Sequence, residues 1–162
     1  MTMSKTNLKL MLASVLVAGA FGGIALGSAL ATASVGLTTT IIAGPTPLGE
    51  VDIDSKSEIN DVKIKTKGVS DIYVVHNTLV PGGHTGWHSH PGPSIISVVS
   101  GQATEYRDDD LVGVVHLAGT AFVDEGGEHG HIVVNEGSTD LVLVAFQIIP
   151  LGATRRIDRP AP

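Results

Sequence analysis

From residue 62 to residue 149 the chain is written in short stretches that alternate or run apolar. Val62-Lys63-Ile64-Lys65-Thr66-Lys67 changes character at every step, and Asp71–Val80 is long and β-branched. Ser94–Ser100, Gln102–Tyr106, Leu111–Leu117, Ile132–Val134 and Asp140–Ile149 follow. Successive side chains of a strand leave opposite faces, so a period of two marks a half-buried strand. The breaks fall at Gly101, at Arg107-Asp108-Asp109-Asp110, which reads as a hairpin turn rather than a calcium loop, and at Ala118-Gly119. No stretch here carries a sustained helical period with caps. Short strands recurring at roughly ten-residue intervals predict an all-β barrel or sandwich.

The flanks have a different texture. Lys5 and Lys9 are the only charges before Glu50, and an apolar run from Leu10 to Leu30 ends in the small residues Ala29, Ala31 and Ala33. A basic start, an apolar middle and a small-residue exit predict a secretory signal peptide over residues 1–33, or a membrane anchor if the segment is retained. Either places the remainder outside the cytoplasm: periplasmic, secreted, or on the outer face of the membrane, which it touches only through an uncleaved segment. Residues 34–60, rich in threonine and with Pro45 and Pro47, read as a linker or N-terminal arm. Residues 61–150 hold the barrel. Residues 151–162, with Arg155, Arg156, Arg159, Pro160 and Pro162, read as a loose tail or an arm that packs on a partner.

Composition narrows the class. The 162 residues include no cysteine, so disulfides contribute nothing. A net charge of −6 and a pI near 5.5 exclude nucleic acid as a partner. The alternating Lys63, Lys65 and Lys67 read as the wet face of a strand. There is no nucleophile triad pattern, phosphate-cradling glycine loop or paired-carboxylate motif.

The chemistry lies in the histidines. Three of the seven fall within Pro81–Pro93, where His84, His88 and His90 are framed by glycine and proline. On extended backbone His88 and His90 share a face, and two imidazoles on one face suit a divalent metal that prefers nitrogen. A third ligand is offered by Gly126-Gly127-Glu128-His129-Gly130-His131. His131 stands on the strand leading to Asn135; His129 is the alternative ligand, or a residue supporting one. His76 and His116 sit in apolar strands and read as structural. Trp87 reads as a packing residue, and Tyr73 and Tyr106 are open candidates for a pocket wall.

The spacing Gly82, five residues, His88, one, His90, three, Ser94, six, Gly101 resembles the first motif of the cupins. Gly119, Phe122, Gly126-Gly127, His131, three residues and Asn135 resemble the second, and the short segment between them is similar to that of small single-domain bacterial cupins. There are three departures: Ser94 stands where the motif has a glutamate ligand, Glu125 where it has proline, and one extra residue separates Gly127 from His131. The resemblance implies a double-stranded β-helix, or jelly-roll, barrel holding Fe, Mn, Zn, Ni or Cu through His88, His90 and His131. Without the glutamate the metal keeps its full charge and favours anionic ligands, and Ser94 is an alternative ligand or a supporting hydroxyl. Implied functions are dioxygenase-type or isomerase-type chemistry on a small organic molecule, with His84 or Glu105 as general base or substrate contact. The alternatives are a non-catalytic metal or small-ligand binding module and a structural envelope protein. A homodimer is a further implied state, because cupins pair through their outer strands.

Overall fold

A computed structural model describes residues 30–162. The signal-peptide or anchor reading therefore falls almost wholly outside the described residues. Those residues form twelve strands: β1 (Val35–Leu48), β2 (Asp52–Lys56), β3 (Asp61–Lys65), β4 (Ser70–His84), β5 (His88–Ser89), β6 (Ser94–Ser100), β7 (Gln102–Arg107), β8 (Val114–Leu117), β9 (Ala121–Asp124), β10 (His131–Val134), β11 (Leu141–Pro150) and β12 (Ile157–Asp158). There is no helix among them.

Ten strands join one antiparallel sheet in the order β12-β5-β10-β4-β11-β6-β9, with β1 also on β4, β7 on β10 and β8 on β7. The sheet curls into a nearly closed all-β barrel. Its inner face follows from the period of two. Along β11, Leu141, Leu143, Ala145, Gln147 and Ile149 are buried while the residues between them are more exposed. Along β6, Ser94, Ile96 and Val98 face inward. The register Leu143↔Val98, Ala145↔Ile96, Gln147↔Ser94 sets these inner residues side by side. With Val75, Leu79, Ala103, Phe122 and Val133 they form the core. Burying a side chain such as Leu79 or Leu141 contributes about 1.5–3 kcal/mol.

Both edges of the barrel differ from the sequence reading. Residues 34–60 are not a linker throughout: β1 pairs with β4 from Val35↔His84 to Leu48↔Ser70, with three register shifts. β1 faces solvent at most positions, and only Leu37 packs on the core, so its sequence lacks an apolar period. The barrel does not begin at residue 61 either. β3 pairs only with β2, Asp52↔Lys65 to Lys56↔Asp61, in a separate exposed hairpin where Lys65 meets Asp52 at 2.6 Å. The tail is not loose. β12 pairs with β5, and the Arg159 amide donates to the Trp87 carbonyl at 2.9 Å.

Two loops close the end of the barrel where the histidines lie. Gly126 has φ +74°, a conformation that disfavours other residues, and a side chain there would strike the Gly92 carbonyl. The Gly127 amide donates to the His90 carbonyl at 2.7 Å. The loop after β9 is thereby tied to the loop after β5.

Candidate metal centre

β5 and β10 pair with His131 directly opposite His88. His90 follows two residues after His88 and shares its face. All three histidines are buried, each 5% exposed, and one nitrogen from each lies within 4.8 Å of the others. The Nε2 atoms of His88 and His131 are 3.1 Å apart. Two nitrogens each ~2.0–2.1 Å from one ion, at roughly 100° to each other, have that separation.

Hydrogen bonding at the far side of each ring sets which nitrogen faces inward. His88 Nδ1 is 2.8 Å from the Gly86 carbonyl oxygen, and His90 Nδ1 is 2.7 Å from that of Arg155. A carbonyl oxygen only accepts, so both Nδ1 atoms carry the proton and both Nε2 atoms present a lone pair. His131 Nδ1 lies 3.6 Å from Glu105 Oε1 and 3.6 Å from Asp124 Oδ1, beyond hydrogen-bond range but within reach of both charges. Burial, and then the charge of His131, holds the His88 imidazole well below its ordinary value. Burial lowers His90 to about 4, against the opposing carbonyl of Arg155. Both rings are therefore neutral at pH 7, with a lone pair open to an ion.

The surroundings fit a cation. Asp124 is 7% exposed, and its Oδ2 has no hydrogen-bond partner among the described residues. Glu105 is 8% exposed. Burial pushes its carboxyl up, but the neighbouring His131 and His116 rings outweigh burial and bring it below the usual range. Two buried carboxylates behind one imidazole are compensated by positive charge on the other side of that ring.

The remaining sequence candidates fall in other places. His129 is exposed beside Asp108 and Asp109 at 3.8 Å, because β10 starts at His131 and the extra residue is taken up in the preceding turn. The acidic turn is a hairpin turn, with Arg107 and Asp110 exchanging backbone bonds of 3.4 and 3.3 Å. His84 does not face the cavity; its Nδ1 accepts the Gly86 amide at 3.1 Å. Glu105 does not line the cavity either, and bonds His116 at 3.2 Å. His116 stacks on Phe122 with ring centroids 4.0 Å apart. Tyr106 turns away to donate to Glu136 at 2.7 Å, and Tyr73 packs against the core. Ser94 accepts a hydrogen bond from Gln147 Nε2 at 2.8 Å, which makes it a supporting hydroxyl in this arrangement.

Sequence reasoning passed over Gln147, Asp124 and the inward role of the tail. Gln147 had a signal: it is the one polar residue at the inward parity of the apolar strand β11. Asp124 had none, since acidic residues before Gly-Gly usually cap turns. Arg155 and Arg156 line the cavity in front of the triad, a space of about 220 Å³ that also meets Leu37, Phe122 and Leu143.

No family model and no curated protein matches the sequence. Solved structures of similar shape include cupin and double-stranded β-helix proteins. A cupin superfamily protein of Desulfitobacterium hafniense is 9% identical over 70% of this chain and 77% of its own, with a TM-score of 0.47. A conserved protein with a double-stranded β-helix domain from Klebsiella pneumoniae is 19% identical over 72% and 86%, with a TM-score of 0.48. An oxalate oxidase with a bound substrate analogue, glycolate, is 25% identical over 47% of this chain, with a TM-score of 0.44; the match spans only 41% of that enzyme's length. The architecture itself rests on the strand pairing described above.

Proposed function

We propose that His88, His90 and His131 hold one divalent metal ion, and that the chain is a metal-dependent enzyme acting on a small organic molecule, of oxygenase or isomerase type. The observation that supports this is the convergence of three buried imidazoles. Two of them have their Nδ1 protons anchored on carbonyls, which leaves their Nε2 lone pairs free, and one nitrogen of each ring lies within 4.8 Å of the others. When bound, the metal supplies Lewis acidity or an oxygen-binding position. The protein supplies the rest: it fixes the rings and lines the space beside them with apolar Phe122, Leu143 and Val133 and polar Gln147 and Thr85. The metal is Fe, Mn, Zn, Ni or Cu, since all three ligands are nitrogen. Export is proposed on the composition of residues 1–33, and fractionation of expressing cells tests it.

One observation favours a second reading, a non-catalytic metal or small-ligand binding module. Among the described residues no carboxylate lines the cavity, and the histidines are the acid–base groups there. Metal analysis of protein purified without a histidine tag is expected to give about one ion per chain, and His88→Ala is expected to abolish it. Equal metal content in the two proteins refutes the centre. Oxygen uptake by the iron-loaded protein across a panel of small organic molecules then separates enzyme from binder.

A further inference from the structure

Among the described residues the cavity in front of the triad is lined by two arginines and by no aspartate or glutamate, in a chain with 16 acidic residues against 10 basic ones. Both arginines come from the tail, and they are held differently. Arg156 is committed: Nη2 donates to the Thr85 carbonyl at 2.7 Å and Nε to Asp158 at 2.7 Å. Arg155 donates Nη1 to Gln147 Oε1 at 3.0 Å and makes no ion pair among the described residues. Most of its five N–H donors are left without a protein partner. Burial, and the charge of Arg156 beside it, hold its pKa below the ordinary value. A half-buried guanidinium without a counter-charge is costly unless something in the cavity pairs with it.

Gln147 fixes the direction of that guanidinium. Its amide is held at both ends, donating to Ser94 at 2.8 Å and accepting from Arg155, and its nitrogen lies 3.5 Å from the His90 ring. The free face of Arg155 is therefore one side chain away from the triad. We infer that the cavity takes a small organic carboxylate, its carboxylate paired with Arg155 and a second oxygen directed at the metal corner. This deepens the metal reading and rests on it only for the second contact. The cavity is smaller than the ~300–1,000 Å³ of a pocket for a drug-sized ligand. Its apolar wall of Leu37, Ile96, Phe122 and Leu143 suits a short hydroxy- or oxo-acid.

Lactate, pyruvate and the neutral twin lactamide, titrated calorimetrically into the Mn(II)-loaded and metal-free full chain, test this. Lactate or pyruvate is expected to bind the loaded protein at least ~10-fold more tightly than lactamide, the size of one charge-assisted hydrogen-bonded contact. Arg155→Met is expected to erase that preference and Arg155→Lys to restore part of it, with Mn(II) affinity kept within about threefold because the carbonyl that holds His90 Nδ1 belongs to the backbone and both changes retain it. If Mn(II) fails to bind at all, the metal reading falls, while a carboxylate preference dependent on Arg155 in the metal-free chain still upholds the subsite. Equal binding of lactate and lactamide, no binding of either acid to the loaded chain, or a preference unchanged in Arg155→Met overturns the inference.

Discussion

Glu105 illustrates how a residue can matter to the triad without facing the cavity. It was a candidate base in the sequence, yet the fold puts it behind His131, 3.6 Å from Nδ1 and bonded to His116. A carboxylate there raises the basicity of the opposite nitrogen through its charge. Glu105→Gln keeps the shape and removes the charge. It is expected to weaken metal binding ~10-fold or more, measured by competition with a chelating dye, while the circular-dichroism spectrum stays that of the parent. The histidines themselves set the acid limit. His90 titrates near 4 in the fold against an ordinary value of 6.5, and His88 is shifted the same way. Between these values the unfolded chain binds more protons than the folded one, so stability rises with pH. The metal-free protein is expected to hold full stability above pH 6.5 and to lose it as pH falls from there toward 4. Urea midpoints at several pH values check this, and a flat profile across that window would refute the buried, neutral state of the pair.

At the level of elements, the tail and the β2–β3 hairpin make opposite predictions although both look peripheral in the sequence. The hairpin is exposed at every position and packs as its own sheet. Val51 and Thr66 at its base already exchange bonds of 2.8 and 2.9 Å, so an Asn-Gly turn joining them closes the gap. Replacing residues 52–65 in this way is expected to change unfolding free energy by under ~1 kcal/mol. Ending the chain at Ala153 removes the carbonyl that holds His90 Nδ1, both cavity arginines and the β12 pairing. Metal affinity is expected to drop ~10–100-fold, as for loss of an outer partner of a ligand. The contrast also marks what could be read beforehand. His88 and His90 were legible because parity alone sets them on one face, and His131 because Asn135 fixed the count along a strand. β1 was not, since a strand wet at most positions carries no apolar rhythm. The tail was not, since Arg155, Arg156 and Arg159 beside prolines read as solvent-exposed chain unless the Gln147 amide, the Thr85 carbonyl and the Ser89 hydroxyl that they meet are known to lie beside them. Gln147 lay between: its inward parity in β11 was visible, but its partners Ser94 and Arg155 come from elements that only folding brings together.

For the molecule as a whole, the triad is a clasp between segments far apart in sequence. His88 and His90 follow β4, His131 opens β10, and the tail that orients His90 returns from the end of the chain. With no cysteine to cross-link these segments, a bound ion is the one strong tie available beyond packing and hydrogen bonds. An ion that binds the folded state and not the unfolded one adds RT ln(1 + [L]/Kd), about 2.7 kcal/mol at a hundredfold excess over Kd. A folded domain of this size gains on the order of 10 °C in Tm from that free energy. Calorimetric scans of the parent protein with excess Mn(II), and after dialysis against a chelator, are expected to differ by that amount, and the same pair of scans on His88→Ala to coincide. A shift of equal size in both proteins places the stabilising ion elsewhere, with Asp108, Asp109 and His129 as the other group among the described residues close enough to share one. Absence of any shift in the parent leaves the three rings as a buried histidine cluster held by Gly86, Arg155 and the two carboxylates, with no clasping role for a metal.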